Sequence, residues 1–378
     1  MDASPLSSVF CLYRDSPERR TALTKAPGAP ERYLLFGLDQ LAERGISVRH
    51  NLERGFPPPA WARVVDRAAN ALLRRAGGYG GDFASVLVSL RAANAADVVF
   101  STVDTVGIPL VLLGRVGLVR PPIVYTAIGL PERLVQLRGR WIRRLYANAL
   151  HRSRTIVAYA ESETEWLRAW LGEGGPPVVF IPFGVDVDAF HPLPERLPDV
   201  DVVSIGADPR RDFELVAAVA SRHPERSFHI VATAERAGLL GELSPNVVLE
   251  TDIALEQVRD RIAGARVVAL PVRDNSYSGA TTVLLQAMAM AKPVVVSRTR
   301  AIASGYGLAD GVNCRLVEPG DAGQLERAIL DLLADEAAAS ALGARARETV
   351  GGGLSRNAYA EALWRVLSTA AVAEPASV

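Results

Sequence analysis

Short apolar runs rich in valine and isoleucine alternate along the chain with longer stretches of helical periodicity. Runs that are apolar at nearly every position are typical of parallel strands that helices cover on both faces. They form two series, which lie at 8–13, 46–50, 97–102, 121–127, 154–160 and 177–185, and at 199–207, 227–233, 246–251, 265–272, 292–297 and 313–317. The two series predict an α/β protein with two doubly wound domains.

The proline-rich segment DVDAFHPLPERLPD separates the two series and has no apolar period. Such a segment is typical of a linker. We therefore expect four parts along the chain: an N-terminal Rossmann-like domain over 1–185, an interdomain linker over 186–198, a C-terminal Rossmann-like domain over 199–354, and a last amphipathic helix with its tail over 355–378.

Two further segments carry helix predictions. PERYLLFGLDQLAERG (30–45) reads as one helix that ends at Gly45. GIPLVLLGRVGLV (107–119) is too short for a membrane span, which needs ~20 apolar residues, and Arg115 interrupts it. We therefore expect a buried helix there, and no membrane span elsewhere.

The N-terminus lacks the basic start and apolar core of a signal peptide. Cys11 and Cys314 are far apart in sequence, have no metal-site spacing, and are expected to be buried thiols. These features favour a cytoplasmic protein. The 42 basic and 42 acidic residues balance, so net charge gives no reason to expect a nucleic-acid partner.

The segment 138–154 breaks the charge balance, because it carries six arginines together with Trp141, Ile142, Leu145 and Tyr146 at helical spacing. Two interpretations stay open. The helix lies on an anionic membrane surface, as a peripheral contact at the inner face, or it packs its apolar stripe inward and solvates its arginines. The segment 61–75 shows the same pattern more weakly.

The strand at 265–272 runs into the loop RDNSYSGA and then into a helix. This order places Ser278, Gly279, Ala280 and Thr281 at a helix N-terminus, where free backbone N–H groups favour phosphate or sugar oxygens. Gly279 would allow a ligand to approach the backbone closely. The alternative is an ordinary cap, since serine and threonine are common before helices.

Gln286 is the one polar side chain in the apolar run TTVLLQAMAMA. A buried amide needs a hydrogen-bond partner, which is either a ligand hydroxyl or a neighbouring backbone group.

Another strand ends at Gly206, and Arg210 and Arg211 follow it at a strand-to-helix junction. Their guanidiniums would neutralise a diphosphate, or one of them pairs with a nearby aspartate.

Together these segments resemble the signatures of family-4 glycosyltransferases. The matching segments are RTIVAYAESETEWL (154–167), FIPFGVDVDAFHP (180–192), SGATTVLLQAMAMAKPVVVS (278–297) and GVNCRLVEPGD (311–321). Their order and spacing agree across about 150–330 of the sequence. The resemblance implies a GT-B fold, with two Rossmann-like domains facing a central cleft and a C-terminal helix that crosses back to the N-terminal domain.

The resemblance also implies the activity. It implies a retaining hexosyltransferase that moves a sugar from a UDP- or GDP-type nucleotide sugar to a hydroxyl acceptor, without a cofactor or metal. The acceptor would be a glycolipid, a glycan or a small molecule. The implied catalytic residues are Arg210 and Arg211, which would stabilise the leaving diphosphate, and Asp104, which is the polar residue nearest the position of a histidine common in the family. The implied donor-binding residues are Gly206, Ile253, Asp274, Ser278, Gly279, Ala280, Thr281, Thr282 and Gln286.

The sequence departs from the family pattern at several positions. Ser278 and Gln286 stand where the family has two glutamates, and Ala207 stands where it has an arginine. Ser278 is too short to replace a glutamate, so Asp274 becomes a candidate for that contact with the donor sugar. The departures keep two alternatives open, namely a nucleotide-sugar-binding protein without transferase activity and a sugar-nucleotide epimerase.

Two D-x-D triplets resemble the metal motif of a different glycosyltransferase fold. They are Asp186-Val-Asp188 and Asp199-Val-Asp201. The first lies in the linker signature and the second opens a strand, whereas that motif follows a buried strand. We therefore expect neither triplet to bind a metal.

Overall fold

The computed structural model describes residues 6–54, 57–275, 277 and 279–372. The chain divides into two compact units, which are Met1–Ile181 with Ala360–Val378, and Pro182–Tyr359. Each unit contains a six-stranded sheet in which every pair of neighbouring strands is parallel. The prediction of two parallel α/β sheets is therefore confirmed.

In the first unit the sheet has the order β2-β1-β3-β4-β5-β6. Its strands are β1 Ser8–Leu12, β2 Ser47–His50, β3 Val98–Ser101, β4 Ile123–Ala127, β5 Ser153–Ala158 and β6 Val178–Phe180. Every residue of β3 and β4 is buried, whereas the edge strand β2 is exposed at alternate positions. The continuous apolar runs therefore mark the central strands, as expected for a sheet covered on both faces.

The described residues of the first unit form eight α-helices before the second unit begins. They are α1 Pro17–Thr24, α2 Leu38–Glu43, α3 Ala60–Arg75, α4 Phe83–Ala93, α5 Asp104–Arg115, α6 Leu130–Val135, α7 Arg140–Leu150 and α8 Glu161–Leu171. The buried helix expected at 107–119 is α5, but it starts three residues earlier and ends at Arg115.

The prediction of one helix over 30–45 is wrong. A 3₁₀ helix spans Pro30–Leu35, and α2 begins only at Leu38. Between them Phe36 (φ 50°) and Gly37 (φ 83°) are both left-handed, a conformation that ends a helix. Gly45 is also left-handed (φ 78°) and follows α2, so the expected stop at this glycine is present.

In the second unit the sheet has the order β12-β11-β10-β7-β8-β9. Its strands are β7 Val200–Ile205, β8 Phe228–Ala232, β9 Val247–Thr251, β10 Ala265–Leu270, β11 Val294–Ser297 and β12 Arg315–Val317. The strand order reverses between the neighbours β7 and β10. In open α/β sheets, the loops at the carboxyl ends of two such strands form the usual ligand site.

The α-helices that follow these strands complete the fold. They are α9 Phe213–Arg222, α10 Ala234–Ala237, α11 Leu255–Ala263, α12 Thr281–Ala289, α13 Arg300–Ala303, α14 Ala322–Ala334, α15 Glu336–Gly351 and α16 Arg356–Val372. From Ala360 onward α16 belongs to the first unit. There Glu361 pairs with Arg44, whose guanidinium also stacks over the ring of Trp364 at 4.7 Å. The last helix therefore returns to the first unit, as the resemblance implied.

Both cysteines are free and buried, as expected, and burial raises the pKa of each thiol to about 12. Within the described part of the chain, the structure contains no helix with the length and apolar character of a membrane span.

Candidate functional site

The loops that follow β7 and β10 are joined by backbone hydrogen bonds. The N–H of Asp212 donates to the carbonyl of Pro271 at 3.0 Å, and the N–H of Arg273 donates to the carbonyl of Arg210 at 2.8 Å. Both loops lie where the strand order reverses, so the structure brings the two predicted halves of the donor site to one edge of the sheet.

Arg211 is buried beside the end of β7, with 1% of its surface exposed. Its Nη2 donates to Ser204 Oγ at 3.3 Å, and its guanidinium lies over the ring of Phe213 at 5.6 Å. Nε and Nη1 have no hydrogen-bond partner among the described residues. Burial lowers the pKa of Arg211 to about 10, so the side chain is still charged at neutral pH.

The alternative interpretation paired one of the two arginines with a nearby aspartate. No carboxylate within the described ranges forms an ion pair with Arg211, although Asp208 and Asp212 are close enough to favour its charged form. Arg210 is exposed, and its N–H donates to Asp208 Oδ1 at 2.7 Å. The two adjacent arginines therefore differ sharply in environment.

Asp208 connects this loop to the segment before α12. Its Oδ1 accepts a hydrogen bond from Tyr277 Oη at 3.1 Å, and a Cβ added to Gly279 would lie 2.9 Å from its Cγ. Burial raises the pKa of this carboxyl. The absence of a side chain at Gly279 therefore allows another group to lie close to its backbone. In this structure that group is the carboxyl of Asp208.

The N-terminus of α12 has no side-chain cap, because its N-cap residue is Ala280. Thr281 is the first helical residue, is 1% exposed, and its Oγ1 has no hydrogen-bond partner among the residues described. Thr282 is half-buried. Ser278, the other predicted residue at this turn, lies outside the described residues. The interpretation of this turn as an ordinary side-chain cap therefore receives no support from Thr281.

Gln286 is 4% exposed, and its side chain makes no hydrogen bond to any residue that the structure describes. The alternative of a bond to a neighbouring backbone group is therefore not found.

Lys292, from the same signature, has a structural role: its Nζ donates to the carbonyls of Ala263 (2.6 Å) and Ala265 (3.0 Å).

Two predicted donor residues lie in loops at the same edge of the sheet. Asp274 is exposed in the loop after β10. Ile253 is half-buried in the loop after β9. It follows Asp252 in the sequence, whose backbone is left-handed (φ 52°). The structure thus places Gly206, Ile253, Asp274, Gly279 and Gln286 in one unit, on the strand ends or on the helix that follows them.

The role of Arg236 was not predicted from the sequence. This residue of α10 is 8% exposed, and its Nη2 donates to the carbonyl of Arg211 at 3.0 Å and pairs with Glu214 at 3.3 Å. Thr233 caps the same short helix through the N–H of Arg236. Arg236 is therefore a positioning residue that fixes the backbone on which Arg211 is mounted.

In the first unit Asp104 is the first residue of α5, directly after β3. It is 5% exposed, and its Oδ1 accepts a short hydrogen bond from Tyr125 Oη, whereas Oδ2 has no partner among the described residues. Burial raises the pKa of Asp104 to about 7. Such a carboxyl exchanges its proton near neutral pH.

Glu163 was not singled out from the sequence, although it lies in the matched segment 154–167. It is 2% exposed on α8, and its Oε1 accepts a hydrogen bond from the N–H of Leu130 at 3.2 Å. Burial and the nearby Asp104 raise its pKa well above the usual range. The first unit therefore has two buried carboxyls at the carboxyl ends of β3 and β5.

The aspartates of the D-x-D triplets make structural contacts. Asp186 accepts from the N–H groups of Asp188 and Ala189, both at 3.1 Å, and pairs with Arg356 at 3.2 Å. Asp201 pairs with Arg266 at 2.9 Å. Across the described ranges, no three metal-ligating side chains cluster together.

Comparison with known proteins agrees with this arrangement. Residues 187–335, which include the whole sheet of the second unit, match the family model of Glycosyl transferases group 1. Sucrose-phosphate synthase from Thermosynechococcus elongatus has a similar structure, with a TM-score of 0.73 and 19% identity over 95% of this chain and 98% of that chain. The chain has the GT-B glycosyltransferase fold.

Two further GT-B structures are similar over almost their full length. Anabaena HepE in complex with UDP-glucose has a TM-score of 0.67 and 14% identity, covering 96% of this chain and 99% of that chain. A glycosyltransferase from Rickettsia africae has a TM-score of 0.63 and 13% identity, covering 97% and 98%. No curated protein sequence matches significantly. The resemblance to glycosyltransferases that the motifs indicated is therefore confirmed.

Proposed function

We propose that this chain is a retaining hexosyltransferase. It would move a sugar from a UDP- or GDP-type nucleotide sugar to a hydroxyl acceptor, without a metal ion. The group 1 match over 187–335 and the UDP-glucose named for HepE support a nucleotide-sugar donor. The observation that carries the proposal is the buried guanidinium of Arg211, whose Nε and Nη1 lack partners among the described residues.

A buried charge whose N–H groups are only partly hydrogen-bonded is destabilising, and such groups are concentrated at functional sites. Departure of a nucleoside diphosphate leaves negative charge on the β-phosphate. The positive charge of Arg211, the exposed Arg210 and the uncapped N–H groups of α12 would together stabilise that charge in place of a metal. The acceptor would then attack the sugar from the face that the diphosphate leaves.

Two side chains of α12 suit the nucleoside. The amide of Gln286 can both donate to and accept from ribose hydroxyls. Thr281 Oγ1 offers a second buried polar atom that has no partner among the described residues. A bound ribose would satisfy groups that the protein leaves unsatisfied, which favours a ligand over a purely structural role.

The acceptor is assigned to the first unit. There Asp104, with its pKa raised to about 7, would orient the acceptor hydroxyl and take up its proton. Burial and the nearby Asp104 raise the pKa of Glu163, and its Oε1 would hold the neighbouring turn through the N–H of Leu130.

A peripheral contact with anionic membrane through 138–154 is also proposed. Ile142 and Tyr146 of α7 pack inward, as the alternative interpretation expected, but Trp141 is 59% exposed beside exposed arginines. On α3, Trp61 (56%) and Leu72 (69%) are exposed as well. Arginine and tryptophan on one surface suit a membrane interface. Sedimentation with anionic vesicles that weakens with salt would support the contact, and no binding at low salt would exclude it.

Nucleotide binding is the first test. A thermal-shift screen with UDP, GDP and their sugars should raise the melting temperature of the wild type, since a ligand at about 100 times its Kd adds about 2.7 kcal/mol of stability. Arg211→Met should abolish the shift, whereas Arg222→Met, at an exposed arginine of the same unit, should retain it. Equal shifts in wild type and Arg211→Met would contradict the role of Arg211.

The reaction is the second test. NMR of the product should show the anomeric configuration of the donor, and EDTA should leave the rate unchanged. An inverted product would refute retention, and a loss restored by Mg²⁺ or Mn²⁺ would refute metal independence. Tight nucleotide-sugar binding without transfer to any acceptor would instead favour a binding protein, and conversion of the donor sugar into its epimer would favour an epimerase.

A further inference from the structure

A cavity of about 520 Å³ lies in the first unit, apart from the proposed donor site. It is lined by the end of α3 and the residues after it, and by the turn that joins α6 to α7. Its charged and polar lining side chains are Arg74, Arg75, Tyr79, Arg133, Gln136 and Arg138, and no carboxylate lines it. The volume falls within the range of small-ligand sites, and the lining is strongly cationic.

All four arginines of the lining are exposed, and the charge of Arg133 is close enough to Asp104 to lower the pKa of that carboxyl. Among the described residues, no carboxylate forms an ion pair with any of their guanidiniums. Elsewhere in the same unit arginines do pair, as Arg20 does with Asp15. Within the cavity, the guanidinium of Arg133 lies over the ring of Tyr79 at 5.4 Å. An anion in the cavity would therefore meet positive charge from both of its sides.

The two sides of the cavity are held together by hydrogen bonds. The N–H of Arg138 donates to the carbonyl of Gly77 at 2.9 Å, and the N–H of Tyr79 donates to Tyr146 Oη at 2.8 Å. The N–H groups of Gly77 and Gly78 are used within the turn, since they donate to the carbonyls of Arg74 and Leu73. The cavity is therefore preformed, and its side chains rather than its backbone are available to a ligand.

We propose that this cavity is a binding site for a phosphate-bearing ligand, of the phosphomonoester or diphosphate class. The planar guanidinium matches phosphate oxygens in a bidentate manner. A dianionic phosphate compensates the four charges better than a carboxylate does, and Gln136 adds a donor and an acceptor for an attached hydroxyl. The site shares no residue with the proposed donor site, although Arg133 lies near Asp104 of the proposed acceptor site. The proposal rests on the side chains of the cavity and not on the transfer reaction.

The phosphate could be carried by a soluble compound or by a lipid headgroup. Exposed apolar side chains flank the lining residues in sequence, namely Leu72 (69% exposed), Val135 (62%) and Trp141 (59%). Such residues beside arginines suit a lipid at a membrane surface. Both sources share the same chemistry in the cavity, so the experiment has one arm for each.

The test uses the full chain and two double variants. Arg74→Gln with Arg138→Gln removes one charge from each side of the cavity. Arg115→Gln with Arg120→Gln removes the same charge from exposed positions of the same unit that do not line the cavity. The soluble arm measures binding of pyrophosphate and glucose 6-phosphate by calorimetry. The lipid arm measures sedimentation with phosphatidylcholine vesicles that contain phosphatidic acid, against phosphatidylserine vesicles of matched charge.

Saturable binding of a soluble probe, or a preference for phosphatidic acid over phosphatidylserine, supports the proposal if it weakens at least about tenfold in the cavity variant and not in the control variant. A preference for phosphatidic acid assigns the phosphate to a lipid, and binding of the soluble probes alone assigns it to a soluble compound. No binding in either arm, or equal losses in both variants, overturns it. A nucleotide-sugar thermal shift in the same variants keeps the two proposals separate, because it should be unchanged.

Discussion

The guanidinium of Arg211 lies directly against the backbone of Gly206, so that a Cβ added to Gly206 would stand 2.6 Å from Nε of Arg211. Gly206→Ala should therefore displace the arginine. Because Arg211 is 1% exposed, its displacement would disturb the packing around it. We expect a loss of about 1–3 kcal/mol of unfolding free energy from overpacking, measured by chemical denaturation, and at least tenfold weaker nucleotide binding, measured by calorimetry.

Gly241→Ala is the matched control, since a Cβ at Gly241 would meet no atom within 4 Å. It should leave both quantities close to those of the wild type. If Gly206→Ala bound nucleotide as tightly as Gly241→Ala does, the position of Arg211 against the strand end would have no part in donor binding.

Substitution of Gln286 should weaken nucleotide binding without lowering the stability of the free protein. Its side chain is 4% exposed without a hydrogen bond to a described residue, so Gln286→Leu replaces a largely buried amide by an apolar group of similar size. The melting temperature of the free protein should stay the same or rise. Affinity for a nucleotide should fall by about tenfold, because the ribose loses its partner.

The control for this substitution is Leu285→Met in the same helix, a volume-conserving change that should leave nucleotide affinity unchanged. A structural role for Gln286 would give the opposite pattern. The variant would then lose stability in the free protein and retain its nucleotide affinity once folded.

Asp208 introduces a negative charge beside the N-terminus of α12, where Gly279 meets its carboxyl. Asp208→Asn keeps an acceptor oxygen for the N–H of Arg210 and the hydroxyl of Tyr277 but removes the charge. A bound diphosphate should then be repelled less, and its affinity should rise several-fold at pH 8.

The gain should be smaller at low pH, because burial raises the pKa of Asp208 and the wild-type carboxyl becomes protonated there. Calorimetry with UDP at pH 5 and pH 8 measures both. Weaker binding of UDP to Asp208→Asn at pH 8 would show that the carboxylate itself contacts the ligand.

The sheets were predictable from sequence because each central strand is buried on both faces, which forces a continuous apolar run. The helix break at Phe36 was not predictable from the sequence. Phe36 has a left-handed backbone, and phenylalanine, unlike glycine, gives no indication in the sequence that it adopts this conformation. The surface helices were also ambiguous. α3 and α7 share the same pattern of arginine and apolar residues, yet Tyr146 of α7 is buried and Leu72 of α3 is exposed.

The site was predictable in outline, since glycine, threonine and arginine at strand ends mark the ligand edge of such a sheet. The sequence did not reveal which of the two adjacent arginines, Arg210 or Arg211, is buried. Arg211 forms an isolated antiparallel bridge with Val272, which turns its side chain inward and leaves Arg210 exposed. Glu163 was missed for a similar reason, because helical periodicity in ESETEWL does not reveal that one of its glutamates packs against the turn at Leu130.

Asp104 predicts a particular dependence of stability on pH. Its pKa is about 7 in the folded protein, above the value of an unfolded aspartate, so the folded state holds a proton that the unfolded state releases. Stability should therefore fall as pH rises up to about 7, by about 1.4 kcal/mol per pH unit for this group. Asp104→Asn removes the titration, so its melting temperature relative to wild type should rise between pH 5 and pH 7.

Glu163 should change stability with pH in the same direction, because burial raises its pKa as well. Glu163→Gln therefore serves as the comparison for Asp104→Asn. Each variant should remove part of the pH dependence, and thermal melts at several pH values measure it. A constant difference between Asp104→Asn and wild type across this range would show that Asp104 does not titrate there.

The ion pair of Arg32 and Asp39 should be the most stability-critical pair of charges in the first unit. Arg32 Nε donates to Asp39 Oδ2 at 2.6 Å, and the side chains are 8% and 7% exposed. Asp39→Asn leaves the guanidinium buried without a countercharge and should cost about 3–5 kcal/mol of unfolding free energy. Asp15→Asn is the control, because its pair with Arg20 is about half exposed and should cost at most about 1 kcal/mol. Urea denaturation of both variants measures the contrast, and equal losses would mean that burial does not set the contribution of these pairs.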